Sequence, residues 1–151
     1  MPTAIKSDKI ELSSEKKTQE LAIKFFKRLK GGNSVFLYGE IGVGKTTFVR
    51  YLINSFQKEN EIELTEVTSP TFNLLNEYQI NQTKINHYDL FRLKSDNELK
   101  NLNMFEDDIN TINLIEWPKI IKKKPKNLIE LYFEYEKDLQ KRFVQIKGLN
   151  L

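Results

Sequence analysis

Apolar residues recur along this chain with two different periods, and the places where the period changes mark its elements. From Ser14 to about Leu29, the residues Leu21, Ala22, Phe25, Phe26 and Leu29 fall three and four apart, one stripe of a helix. Ser13 or Ser14 supplies a cap at its start, and Gly31-Gly32-Asn33 a turn at its end. Val35-Phe36-Leu37-Tyr38 is then a short unbroken apolar run between turn residues, as in the buried strands of parallel sheets. A glycine-rich segment follows, after which Phe48, Val49, Leu52, Ile53 and Phe56 return to helical spacing. Strand, glycine loop and amphipathic helix in that order predict the opening of an α/β unit.

The second half alternates more often. Phe72 to Ile80 and Lys84 to Tyr88 flank Asn81-Gln82-Thr83 and predict a hairpin. Ser95-Asp96-Asn97-Glu98 has the form of a capping box, so a helix is expected to begin there. Ile112 to Ile115 is a further short strand. Ile129, Leu131, Phe133 and Tyr135 alternate with Glu130, Tyr132 and Glu134, which predicts a strand with one wetter face, near a sheet edge. Arg142 to Lys147 is expected to pair with it across a turn at Lys137-Asp138. The sum is a mixed, mostly parallel sheet flanked by helices in three layers, with a β-hairpin insertion. No repeat, low-complexity block or linker interrupts it, so residues 1–151 are read as a single domain.

Composition narrows the chemistry. With 24 basic and 21 acidic residues the net charge is +3, too small to demand a nucleic-acid partner. There is no cysteine, which removes disulfides, thiolate metal sites and cysteine nucleophiles. No apolar run approaches the roughly 18 residues of a membrane span, and the N-terminal MPTAIKSDKIELSS has no apolar signal core. A cytoplasmic protein without membrane contact is expected.

The sharpest signal is Gly39-Glu40-Ile41-Gly42-Val43-Gly44-Lys45-Thr46, a full G-x-x-x-x-G-K-[ST] phosphate loop. Glycines open backbone conformations closed to other residues and bring N–H groups against phosphate oxygens. Those groups form an anion nest, reinforced by the N-terminus of the next helix. Lys45 brings a mobile positive charge to the β- and γ-phosphates, and the Thr46 hydroxyl suits Mg²⁺. The expected cofactors are therefore a nucleoside triphosphate and Mg²⁺, held by a P-loop NTPase-like fold.

Three further segments occur in order: Val67-Thr68-Ser69-Pro70-Thr71-Phe72, His87-Tyr88-Asp89-Leu90-Phe91-Arg92-Leu93 and Ile115-Glu116-Trp117-Pro118. With the loop extended to Thr47, they resemble the bacterial TsaE family of tRNA threonylcarbamoyladenosine biosynthesis proteins, from about Leu12 to about Gly148. The resemblance implies a small P-loop ATPase specific for ATP. It implies two partner proteins, a TsaD-like transferase and a TsaB-like subunit. Together these place a threonylcarbamoyl group on an adenosine beside the tRNA anticodon, with the ATPase resetting or regulating the complex. It also implies that Ile41, Gly42, Val43, Gly44, Lys45, Thr46 and Thr47 hold the nucleotide, that Glu15 and Thr18 lie near the adenine, and that Arg142 covers base or ribose. Phe91 departs from the family's usual Tyr, Asn103-Met104 from a common Gly, and Glu40 from the usual Asp.

Beyond the loop, individual residues keep two readings. Glu116 ends an apolar run, where a carboxylate can face the loop and hold Mg²⁺; a solvated surface Glu is the plain alternative. Asp89 is a second carboxylate, for metal or attacking water, or else a turn cap; Glu116 is favoured as ligand and Asp89 as the water-orienting group. Thr71 suits a nucleotide-sensing switch, or an ordinary Pro turn. His87, the one histidine, is read as structural more often than as a proton carrier. Arg92 steadies phosphates or pairs with an acid of the fold, and Trp117 packs or meets a partner. Lys122-Lys123-Lys124 with Lys126 is a solvated loop or a tRNA contact, direct or indirect. The rival functions are a small-molecule kinase, though no Arg-rich lid is visible, and a nucleotide-dependent regulator or RNA-binding module with negligible turnover.

Overall fold

The computed structural model describes residues 9–106, 109–136 and 141–151. Its elements are β1 (Ile10–Glu11), α1 (Glu15–Phe26), β2 (Ser34–Tyr38), α2 (Lys45–Glu59), β3 (Leu75–Ile80), β4 (Thr83–Asp89), β5 (Thr111–Glu116), β6 (Leu128–Tyr135) and β7 (Arg142–Lys147), with 3₁₀ helices at Asp96–Leu102 and Pro118–Ile120. All seven strands join one sheet in the order β1-β7-β6-β2-β5-β4-β3. The inner four, β6-β2-β5-β4, are parallel, and antiparallel strands extend them on both sides. Parallel strands are covered on both faces, which is why Val35-Phe36-Leu37 and Ile112 to Ile115 carry no polar alternation beyond Asn113.

Both α-helices pack on one face of the sheet. Ser14 caps α1 by accepting from the Lys17 amide at 3.2 Å, and Leu21, Ala22 and Phe25 turn inward. The helix ends at Phe26 rather than Leu29, because the Arg28 amide donates to the Phe25 carbonyl and tightens the last turn. Helix α2 buries Phe48, Val49, Leu52, Ile53 and Phe56. Phe48 sits edge-on between Phe25 and Phe133, at 5.4 and 5.9 Å between ring centroids. The opposite face carries a smaller cluster of Phe36, Tyr88, Leu90 and Ile115, covered by the 3₁₀ helices and loops.

Three expectations are revised. The strand β6 lies inside the sheet, between β2 and β7, and the edges are β1 and β3. Its polar residues face the thinly covered side, where Glu130 accepts from the hydroxyls of Tyr38 and Tyr132 at 2.9 and 3.0 Å. The capping-box segment forms a 3₁₀ helix, with no side-chain cap from Ser95 and no fully buried residue to hold a longer α-helix. The hairpin strand begins at Leu75, since residues 70–74 turn, closed by the Leu74 amide on the Pro70 carbonyl at 2.8 Å. The β6–β7 pairing has the expected partners, with Tyr135 opposite Arg142; the turn at Lys137-Asp138 lies outside the described residues. Among the described residues no helix is long and apolar enough to cross a membrane.

Candidate functional site

The glycine loop leaves the carboxyl end of β2, whose neighbours β5 and β6 are reached by crossovers in opposite directions. Ligands of open parallel sheets bind at such a point. Gly39 turns the chain at φ 148°, and a Cβ there would lie 2.9 Å from the Phe133 carbonyl oxygen and 2.8 Å from Val43. Gly44 stands at the start of α2 with φ 110°, so no side chain caps the helix. The first amides of α2, from Lys45 to Thr47, have no intrahelical acceptor and face outward as donors. Tyr135 donates its hydroxyl to the Gly42 carbonyl at 2.6 Å and ties the loop to β6.

Strand register places the two carboxylates. Asp89 and Glu116 are paired residues at the ends of β4 and β5, and Glu116 is level with Leu37 of β2. Both are buried. Glu116 accepts from the Thr46 hydroxyl at 3.1 and 3.2 Å and from His87 Nε2 at 2.6 Å. Asp89 instead accepts from Ser69 Oγ at 2.5 Å and from the Phe91 amide at 3.0 Å. Thr71 Oγ1 lies 3.4 Å from Ser69 Oγ, so the Pro70 turn and Asp89 are joined through one hydroxyl.

Lys45 lies over the Trp117 ring, 3.7 Å from its centroid, with its ammonium donating to the carbonyls of Gly39 and Glu40. Burial lowers the Lys45 pKa from its ordinary value, opposed by the charges of Glu116 and Asp89. These groups surround a cavity of about 400 Å³ lined by Ile41, Gly42, Gly44, Lys45, Thr46, Thr47, Ser69, Thr71, Asp89, Phe91, Glu116, Trp117 and Arg142. That volume is in the range of small-molecule sites.

Most of the expected site residues are thus brought together. Val43 is buried beneath the loop, packed under Gly39. Glu15 and Thr18 do not line the cavity: Glu15 binds Arg50 and the Tyr51 hydroxyl at 2.5 and 2.7 Å, and Thr18 is buried against the Ser14 carbonyl. The Tyr51 hydroxyl, aided by Arg50, holds the Glu15 carboxyl below its usual range. Arg92 donates to the carbonyls of Thr71 and Phe72, the latter at 2.9 Å, and so braces the switch segment beside the cavity. Lys122 and Lys124 are ion-paired with Asp96 and Glu130. Ser69, read with Thr71 and Pro70 as part of a switch segment, is found as the partner of Asp89, whereas Tyr135 as the loop's tether had no sequence signal as a site residue. Among the described residues no three His, Asp or Glu side chains cluster as a metal site by themselves.

A glycine loop between a central parallel strand and a helix, with a strand-end carboxylate bonded to the loop threonine, defines a P-loop NTPase-like protein. The family model "Threonylcarbamoyl adenosine biosynthesis protein TsaE" matches residues 12–144, and the chain belongs to that family. A tRNA threonylcarbamoyladenosine biosynthesis protein TsaE of Rickettsia bellii is 45% identical over 121 residues, covering 80% of this chain and 81% of the relative. The protein of the same description from Rickettsia conorii is 46% identical over 112 residues, covering 74% of this chain and 61% of the relative. The crystal structure of Bacillus subtilis YdiB shares the fold at a TM-score of 0.65 and 20% identity, over 95% of this chain and 86% of that one.

Proposed function

We propose that this chain binds ATP with Mg²⁺ and hydrolyses it as the nucleotide-dependent subunit of the machinery that forms N6-threonylcarbamoyladenosine beside the tRNA anticodon. The carrying observation is the contact of Glu116 with Thr46 at 3.1 and 3.2 Å, at the N-terminus of a helix whose first amides lack intrahelical acceptors. Family membership supports the pathway, and the site geometry supports the chemistry.

A hydroxyl and a carboxylate fit magnesium, which takes one or two protein oxygens and completes its shell with phosphates and water. Thr46 and Glu116 would hold the ion, which when bound neutralises charge on the β- and γ-phosphates. The amides from Gly44 to Thr47 grip the phosphates, joined by that of Val43 once it leaves the Glu40 carbonyl. Lys45 exchanges the carbonyls of Gly39 and Glu40 for the γ-phosphate, a trade its burial favours because the charge gains a counter-ion. Asp89 orients water for in-line attack once Ser69 leaves one of its oxygens. Movement of Ser69 carries Thr71 with it, so the 69–72 turn changes shape with the state of the site. Arg142, opposite Tyr135 and beside Gly44, covers the nucleotide's far side. Glu15 and Thr18 meet the adenine outside the cavity that takes the phosphates. In this reading residues 1–151 form one cytoplasmic ATPase domain. Its turnover is weak alone and is coupled to a TsaD-like transferase and a TsaB-like subunit, with tRNA met through them.

The test is ATP hydrolysis by the purified protein, alone and with those two partners. Lys45→Ala and Glu116→Ala are expected to abolish turnover while the protein still folds, the second with a lower melting temperature because Thr46 and the buried His87 lose their acceptor. Unchanged turnover in both would refute the site assignment, and a phosphorylated metabolite as product would favour a kinase instead.

A further inference from the structure

The single histidine is fully buried, yet only one of its nitrogens is engaged. His87 Nε2 lies 2.6 Å from Glu116 Oε2, and Nδ1 has no hydrogen-bond partner among the described residues. A proton on Nδ1 would be a buried donor without an acceptor, whereas a bare lone pair there is less costly. The bonding therefore assigns the neutral tautomer with its proton on Nε2, donated to Glu116.

The sheet explains why this bond is rigid. His87 is level with Leu114 and Asp89 with Glu116, so His87 stands one pleat back from Asp89 on the face that carries Glu116. Glu116 is held from two sides, by Thr46 on the loop and by His87 on β4. The loop must rearrange around a phosphate, but a fully buried ring on a strand paired on both sides does not move with it.

We propose that His87 is a positioning residue: its Nε2–H anchors one carboxylate oxygen of Glu116 and keeps the other aimed at Thr46 and the metal position beside it. The inference rests on the nucleotide reading above. It makes His87 a determinant of metal affinity rather than of nucleotide affinity, since the ring touches neither loop amide nor cavity.

The discriminating pair of variants is His87→Gln and His87→Asn. A Gln amide nitrogen reaches about as far as Nε2, whereas the shorter Asn mimics Nδ1 and leaves Glu116 unanchored. Manganese binding to the protein–ATP complex, read by electron paramagnetic resonance, is expected to weaken roughly tenfold in the Asn variant and to be largely restored in the Gln variant, as for outer partners of other metal ligands. ATP affinity in a chelator should stay as in the wild type for both. A merely structural role would lower both affinities together or neither. Because the chain holds one imidazole, nitrogen NMR of the unmodified protein gives a second readout that needs no variant. The proton should sit on Nε2, and that resonance should shift with magnesium–ATP but not with ATP in a chelator. A proton on Nδ1, an unshifted Nε2 resonance, or an Asn variant that binds manganese as the wild type does overturns the proposal alone. Failure of the wild-type protein to bind manganese–ATP at all overturns the nucleotide reading and this proposal with it.

Discussion

Thr46→Val separates the structural role of the Thr46–Glu116 contact from its role in hydrolysis. Valine keeps the shape of threonine and its β-branch, so the first turn of α2 is undisturbed and only the hydroxyl is lost. That hydroxyl is shared between the two oxygens of Glu116 at 3.1 and 3.2 Å, but it carries one proton, so one hydrogen bond is counted. Glu116 is only 2% exposed but lines the cavity, so water can reach it from that side alone. A hydrogen bond to a charged group contributes about 1.5–3 kcal/mol. For a protein of this size the loss corresponds to a fall in melting temperature of roughly 3–12 °C. Thr46→Ser, which keeps the hydroxyl, should melt close to the wild type and retain turnover, whereas Thr46→Val should lose turnover. Calorimetry of the three proteins without nucleotide, followed by an ATPase assay, measures both effects. If Thr46→Val melts with the wild type, Glu116 does not depend on that bond, and the account of the site as a pre-formed clasp is wrong.

Other perturbations probe the frame around the site. Phe48→Ala empties a fully buried position between Phe25 and Phe133 and should cost about 3–5 kcal/mol in urea unfolding; a loss under 1 kcal/mol would mean that the two helices are not seated as described. Gly39→Ala puts a Cβ against the Phe133 carbonyl oxygen and Val43 at a positive φ, so it should lose at least about 1–3 kcal/mol from backbone strain alone. Adding Val43→Ala should recover only the side-chain part of that loss, and full recovery would show that the backbone contact is unimportant. Burial, followed by the hydrogen bond to Glu130, raises the Tyr38 pKa. The folded state thus keeps this proton after the unfolded chain has lost it, so its stabilisation is complete below about pH 10 and disappears as pH climbs above it. Tyr38→Phe should flatten the alkaline arm of the stability profile, and an unchanged arm would contradict the burial.

The strands and helices nearest the loop were legible in the chain because each is periodic over a length that local chemistry controls. The run from Val35 to Tyr38, the stripe from Phe48 to Phe56 and the motif between them leave few alternatives, and the pairing of Arg142 to Lys147 with β6 followed from length and alternation. The capping-box segment misled, because Ser95 and Glu98 describe a helix start while nothing in the sequence says whether a sheet face will be there to bury the turns that follow. The position of β6 misled for a related reason. Its alternation reports one wet face, and a strand inside a sheet shows the same pattern when that face is thinly covered.

The chain's local chemistry was enough to name the loop, the two carboxylates and the family they resemble, since a phosphate nest needs only consecutive glycines, a lysine and a hydroxyl ahead of a helix. Which carboxylate meets Thr46, what holds Asp89, and the burial of His87 behind Glu116 are contacts between residues from 20 to 70 positions apart. Those depend on strand order and register, which are settled when the whole sheet closes over its core and which no local pattern encodes.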